Sequence, residues 1–107
     1  MSDELVLYYN PMSRAQIAHY MLEEVGAPYR LEHVKFEQRE HKSEQFLAIN
    51  PMGKLPTLVH GSVVVTEAPA ICAYLADAFP AAKLAPPVDD RRRGTYYRWL
   101  FFAASCV

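Results

Sequence analysis

Pro56, through the residues on either side of it, limits most tightly what this chain can fold into. It stands directly before Thr57-Leu58-Val59-His60, and the first residue of a strand is one of the few places where a sheet accepts a proline. Gly61-Ser62 is a Gly-X pair suited to a tight hairpin, and Val63-Val64-Val65 brings the chain back. Thr66 then reads as the N-cap of a helix over residues 67–79, with Glu67 and Pro69 in its first turn and Ile71, Leu75 and Phe79 on one stripe. Two binding features arise if Leu55-Pro56 lies across the strand entrance. The N–H and C=O of Leu55 stay open to an extended, peptide-like ligand, as an added strand would use them. The helix start points bare N–H groups at an anion, with Glu67 at hand for an ammonium group. The same residues also make an ordinary hairpin followed by a capped helix, and local chemistry leaves both readings open.

Upstream, the apolar run Leu5-Val6-Leu7-Tyr8-Tyr9 predicts a strand covered on both faces. Asn10-Pro11-Met12 breaks it. A helix is expected from residue 13 to about residue 25, with Ala18, Met21, Leu22 and Val25 on one face, and Gly26 and Pro28 stop it. Tyr29-Arg30-Leu31-Glu32 alternates as a second strand, so this span is a βαβ unit whose strands run parallel. Residues 36–42, including His41, form a charged, irregular connection, and Ser43 caps a short helix to about residue 49 with Phe46 and Ile49 inward. Four strands and three helices in this order predict an α/β fold, a small mixed sheet with helices on both faces. We find no internal repeats and no low-complexity segments.

Downstream, residues 80–89 contain Pro80, Pro86 and Pro87 and read as a linker. Asp90 caps a last helix from residue 91 onward. Its stretch Tyr96-Tyr97-Arg98-Trp99-Leu100-Phe101-Phe102 is apolar almost all round, a pattern that expects burial on several sides. The rest of the chain offers nothing to supply it. We therefore expect either a piece of a longer protein or a helix that packs on a partner chain.

At 107 residues the chain fits one domain with an appendage, and at 51% hydrophobic it can bury a core. A net charge of −1 with both signs interspersed gives no electrostatic case for nucleic acid or an anionic membrane. Cys72 and Cys106 form no C-x-x-C pair, which argues against a disulfide scaffold or a zinc site and suits a reducing compartment. The opening Met1-Ser2-Asp3-Glu4 is polar, and the run at residues 5–9 is too short for a signal peptide or a membrane span. A cytoplasmic location is the expectation.

Three motifs, Tyr-Tyr-Asn-Pro-Met-Ser-Arg-Ala at residues 8–15, Asn-Pro-Met-Gly-Lys-Leu-Pro-Thr-Leu at 50–58 and Thr-Glu-Ala-Pro-Ala-Ile at 66–71, give the chain its resemblance to the glutathione S-transferase family. The last two, with their spacing, are the specific ones. The resemblance implies a thioredoxin-like domain (βαβ, helix, ββα) over residues 1–80, a linker over 81–89, and at 90–107 the first helix of an all-helical domain that is mostly absent. It implies attack by the glutathione thiolate on a small hydrophobic electrophile, with glutathione as co-substrate, no metal, and a homodimer. It places the Leu55 backbone on the cysteinyl unit with Pro56 cis, and Glu67 and Ala68 on the γ-glutamyl end. His41 and Lys54 become candidates for the glycine carboxylate. The family usually has a serine where this chain has Ala68, so a hydroxyl contact worth about 1–3 kcal/mol is missing.

A free thiol has a pKa of about 8.5, so such a site must favour the thiolate. A hydroxyl donor at a helix N-terminus does so, and Ser13 matches the family position in the serine-type classes. Ser13-Arg14-Ala15-Gln16 also reads as a capping box, and the two roles coexist because a hydroxyl has one hydrogen and two lone pairs. Tyr9, and less so Tyr8, is the alternative donor, with a strand-core role as its simpler reading. Arg14 adds positive potential beside the thiol or is merely solvated. His19, His33 and His60 have no ligand-type spacing. The electrophile pocket is expected between Pro11-Met12 and the last helix, near Tyr97 or Phe101. Dithiol chemistry is disfavoured because Asn10-Pro11-Met12-Ser13 contains no cysteine. The rival function is a non-catalytic, transferase-like interaction module, supported by Ala68 and the apolar final helix.

Overall fold

A computed structural model describes residues 4–106. The readings made of Met1-Ser2-Asp3, of the Cys106 side chain and of Val107 lie outside the described residues. Strand β1 (Leu5–Tyr9) is central: it runs parallel to β2 (Tyr29–His33) on one side and antiparallel to β3 (Thr57–His60) on the other. β4 (Val63–Thr66) pairs antiparallel with β3 and completes a four-stranded mixed sheet in the order β2-β1-β3-β4. The helices are α1 (Ala15–Val25), α2 (Glu44–Ile49), α3 (Ala68–Ala78) and α4 (Arg92–Cys106). This is the α/β, thioredoxin-like arrangement that the sequence predicts.

The two-residue period of β1 divides its side chains between two layers. Leu5 and Leu7, with Leu58 of β3, meet Ala18 and Leu22 of α1 and Ile71 and Leu75 of α3 in the buried core. On the opposite face the Tyr8 ring lies 5.7 Å from that of Phe46 on α2. Both faces of β1 are thus covered, which explains an unbroken apolar run where a half-solvated strand would alternate. Each fully buried Leu or Ile contributes about 1.5–3 kcal/mol.

Local expectations fail where pairing overrides them. Thr66 is the last residue of β4, opposite Thr57, and does not cap a helix. The ladder takes its backbone, and α3 begins two residues later after Glu67, whose φ is 74°. Helix α3 stops at Ala78, with the Phe79 N–H closing on the Leu75 carbonyl. Helix α1 begins at Ala15, so Ser13 and Arg14 belong to the preceding turn. Residues 36–42 fold as two 3₁₀ turns joined through Arg39 at φ 55°.

Helix α4 rests on α3 through Arg93. This buried side chain donates Nη1 to the Pro86 carbonyl at 2.7 Å and Nη2 to Asp77 Oδ1 at 3.4 Å. Its guanidinium lies over the rings of Tyr96 and Tyr97 at 4.8 and 5.0 Å. Farther along the helix Trp99 and Phe101 are 53% and 67% exposed. Among the described residues no helix is long and apolar enough to cross a membrane.

Candidate functional site

The loop entering β3 and the start of α3 face each other across a cleft of about 200 Å³. Its walls are Arg14, Asn50, Met52, Lys54, Leu55, Pro56, Thr66, Glu67 and Ala68. The Leu55-Pro56 peptide is cis. Strand β3 begins only at Thr57, and among the described residues the N–H and C=O of Leu55 have no hydrogen-bond partner. Across the cleft, α3 begins without a side-chain cap among the described residues. The first free N–H along it belongs to Ala68, Pro69 has none, and the N–H of Ile71 is the first to close on the helix, at 2.9 Å to the Glu67 carbonyl. The Glu67 side chain is exposed beside these donors. The cleft therefore offers an open peptide edge, a bare helix N-terminus and a carboxylate within one small volume.

Lys54, Leu55, Pro56, Glu67 and Ala68, all singled out in the sequence, are brought together here. Ser13 is adjacent to the wall residue Arg14 and does not itself line the cleft. Its hydroxyl donates to the Asn10 carbonyl at 2.7 Å and accepts the Ala15 N–H at 3.1 Å. The first free N–H of α1 is thus capped, but the expected reciprocal box is absent. Gln16 Nε2 turns to the Pro11 carbonyl at 2.6 Å, and the Ser13 N–H binds the Asn10 carbonyl at 2.9 Å. The turn at residues 10–13 has already used the donor that Gln16 would have satisfied.

The structure sets Tyr9 apart from the cleft. Its ring stacks on His33 at 5.4 Å and tilts against His19 at 6.2 Å, beside the core. His41 also lies off the cleft wall, in the second 3₁₀ turn, where its ring meets Phe36 edge-on at 4.8 Å. Among the described residues its buried Nδ1 has no hydrogen-bond partner. The turn still reaches the loop of the cleft. Gly53 has φ +61°, and a Cβ there would stand 2.8 Å from the His41 carbonyl oxygen. Only a glycine allows that approach without strain. Cys72 is half-buried on α3, and burial pushes its thiol pKa up, so it is poorly suited to supply a thiolate. Among the described residues no three His, Cys, Asp or Glu side chains gather as a metal site.

Two residues of the site carry no candidate role in the sequence reading. Asn10 and Asn50 are buried polar side chains: Asn50 lines the cleft, and Asn10 closes the turn before α1, off the cleft wall. Their signal was the repeated tripeptide Asn-Pro-Met, present at residues 10–12 and again at 50–52.

A four-stranded mixed sheet, with α1 and α3 on one face, α2 on the other and a cis-proline at the entrance of β3, defines a thioredoxin-like domain. The model of the glutathione S-transferase N-terminal domain matches residues 3–77. The chain belongs to the glutathione S-transferase family. It is 34% identical over 104 residues to glutathione S-transferase theta-2 of Homo sapiens, an alignment covering 96% of this chain and 43% of that protein. A glutathione transferase homologue from Sulfitobacter, solved with bound glutathione, superposes with a TM-score of 0.84 at 30% identity, over 96% of this chain and 50% of the other. A sphingomonad glutathione S-transferase complexed with glutathione gives a TM-score of 0.81 at 36% identity, over 94% and 51%. The chain thus spans about half the length of the proteins it matches.

Proposed function

We propose that this chain is the glutathione-binding part of a cytoplasmic glutathione S-transferase that uses the glutathione thiolate to attack small hydrophobic electrophiles. One observation carries the reading: the open backbone of Leu55 and the uncapped start of α3 face a single cleft, with Glu67 beside them. Glutathione has the matching chemistry. Its cysteinyl unit offers a peptide N–H and C=O to Leu55, and its γ-glutamyl end offers a carboxylate to the Ala68 N–H and an ammonium to Glu67. Lys54, on the cleft wall, and His41, in the neighbouring turn, are assigned to the glycine carboxylate. Relatives solved with glutathione bound support the choice of ligand.

Ser13 is assigned the thiol-facing hydroxyl. In the structure its hydrogen lies on the Asn10 carbonyl, which also accepts the Ser13 N–H. Turning that hydrogen to a thiolate leaves the carbonyl satisfied and the Ala15 cap intact. A neutral hydrogen bond worth about 0.5–1.5 kcal/mol is exchanged for a charged one worth about 1.5–3 kcal/mol, which lowers the thiol pKa. We assign residues 1–80, 81–89 and 90–107 to the binding domain, the linker and the first helix of a helical domain. A homodimer and an electrophile pocket beside Met12 and α4 complete the reading.

Calorimetric titration with reduced and with S-methyl glutathione tests it. Binding of both, tighter for reduced glutathione and accompanied by proton release, is expected. Binding of neither overturns it and favours an interaction module, the reading that the exposed aromatic side chains of α4 support.

A further inference from the structure

The two Asn-Pro-Met turns fold alike. Asn10 and Asn50 are 5% and 3% exposed, and the methionine two residues on is exposed in both. Each asparagine Oδ1 accepts that methionine's N–H, at 2.8 Å for Met12 and 3.1 Å for Met52. Each asparagine carbonyl accepts the N–H three residues on, that of Ser13 or of Gly53, both at 2.9 Å. Each Nδ2 then leaves its turn to hold a main-chain carbonyl: Val34 at 2.9 Å for Asn10, Lys54 at 3.0 Å for Asn50. The Asn50 amide also reaches Thr57 Oγ1 at 3.1 Å, and the Thr57 hydroxyl donates to the same Lys54 carbonyl at 2.9 Å.

The two turns differ in the group each one holds in place. The Lys54 carbonyl and the Leu55 N–H belong to one planar peptide unit and point in opposite directions. Two donors that fix the carbonyl therefore aim the N–H. In the first turn the Asn10 carbonyl takes both the N–H and the hydroxyl of Ser13. That carbonyl is itself set by the amide bonds to Met12 and Val34.

We propose that Asn10 and Asn50 are positioning residues with separate duties, Asn50 aiming the Leu55 backbone at the peptide part of the ligand and Asn10 fixing the turn that holds Ser13 Oγ where its hydrogen can swing to the sulfur. The inference rests on the glutathione reading above and adds two residues to it. Neither asparagine needs to touch the ligand.

The test uses the whole chain and two readouts. The first is calorimetric affinity for S-methyl glutathione, which reports peptide recognition without a free thiol. The second is ultraviolet titration of the bound glutathione thiol. Asn50→Ala weakens S-methyl glutathione about tenfold, the effect of losing the one ligand hydrogen bond at the Leu55 N–H, and leaves the bound thiol's pKa in place. Asn50→Asp keeps the acceptor for Met52 but cannot donate to Lys54, so it shows the same loss. Asn10→Ala raises the bound thiol's pKa by about one and leaves S-methyl glutathione affinity within a factor of two. Should Asn10→Ala fail to fold, Asn10→Asp keeps the Met12 bond and shows the same rise. Variants that move both readouts together, or neither, make the asparagines general scaffold and overturn the assignment while leaving the glutathione reading standing. If the unsubstituted chain binds neither ligand, that reading fails and this inference goes with it.

Discussion

The cleft wall includes Arg14, just before α1, and Glu67 and Ala68, at the start of α3, and the two helix starts are finished differently. At α1 the chain closes its own end: Ser13 Oγ takes the Ala15 N–H, and the Ser13 N–H is held by Asn10. Helices α2 and α4 do likewise, with Phe46 N–H on Ser43 Oγ at 3.2 Å and Arg92 N–H on Asp90 Oδ1 at 2.8 Å. Of α1–α4, only α3 has no side-chain oxygen on its first N–H groups among the described residues, and the chain enters it through Glu67 at φ 74°. An uncapped start forgoes about 1 kcal/mol, and a non-glycine residue in that backbone region costs about 1–3 kcal/mol more. These free N–H groups of α3 are the donors that the proposed function gives to the γ-glutamyl carboxylate.

Ser13→Ala gives the largest expected effect, because it breaks the finished end where the sulfur is proposed to sit. Without the hydroxyl the bound thiol should titrate about one to two units higher, which leaves less thiolate at neutral pH. The lost cap costs about 1 kcal/mol, read from the urea midpoint. A stability loss with an unmoved thiol would reduce Ser13 to a cap.

Ala68→Ser approaches the contrast from the other side. A hydroxyl on the first residue of α3 restores the carboxylate contact proposed to be missing at Ala68, and S-methyl glutathione should bind about tenfold tighter. Unchanged affinity in a more stable protein would mean that the serine had served its own helix. Glu67→Gly then separates strain from recognition. Glycine relieves the positive φ but adds freedom to the unfolded chain, for a net gain of about 1 kcal/mol and a melting point about 4–8 °C higher. Glutathione affinity should fall in the same variant, because the carboxylate proposed for the ammonium has gone. A lower melting point would show that the backbone there is relaxed.

The reasons some of this could be read in advance and some could not are physical. β1, the hairpin, the Ser43 cap and the Asp90 cap depend on residues within a few positions of one another, so the local pattern suffices. Thr66 is as good a cap as Ser43 on local chemistry. It is a strand residue because Thr57, at the far end of the hairpin, pairs with it, and the residues next to Thr66 do not show how far the ladder runs. Ser13 is the mixed case. Its hydroxyl caps, as its neighbours suggested, but the partner of its N–H was decided by a turn that Asn10 closes through Val34. The cleft lining was legible as a list, since Lys54, Leu55 and Pro56 fall in one motif and Glu67 and Ala68 in the next. Its support was not, because a buried asparagine looks in sequence like any turn former until the carbonyl it holds is known.

The smallest effect belongs to α4, whose start Asp90 caps with a charge, and it tests whether a charged cap behaves differently from the hydroxyl caps. Hydrogen bonds from the Arg92 side chain and N–H hold the Asp90 carboxyl below the usual carboxylate range. A folded-state pKa below the unfolded value of about 3.9 contributes stability that is present above that value and lost as the pH falls through the folded one. The window is therefore below about pH 4. Asp90→Asn keeps an oxygen for the Arg92 N–H and removes the titration. Urea midpoints measured from pH 7 down to pH 3 should converge for the two proteins at the acid end, with only a slight difference at neutrality because the pair is exposed. A gap that persists at pH 3 would place the stabilisation in the shape of the cap, as at α1 and α2, and not in its charge.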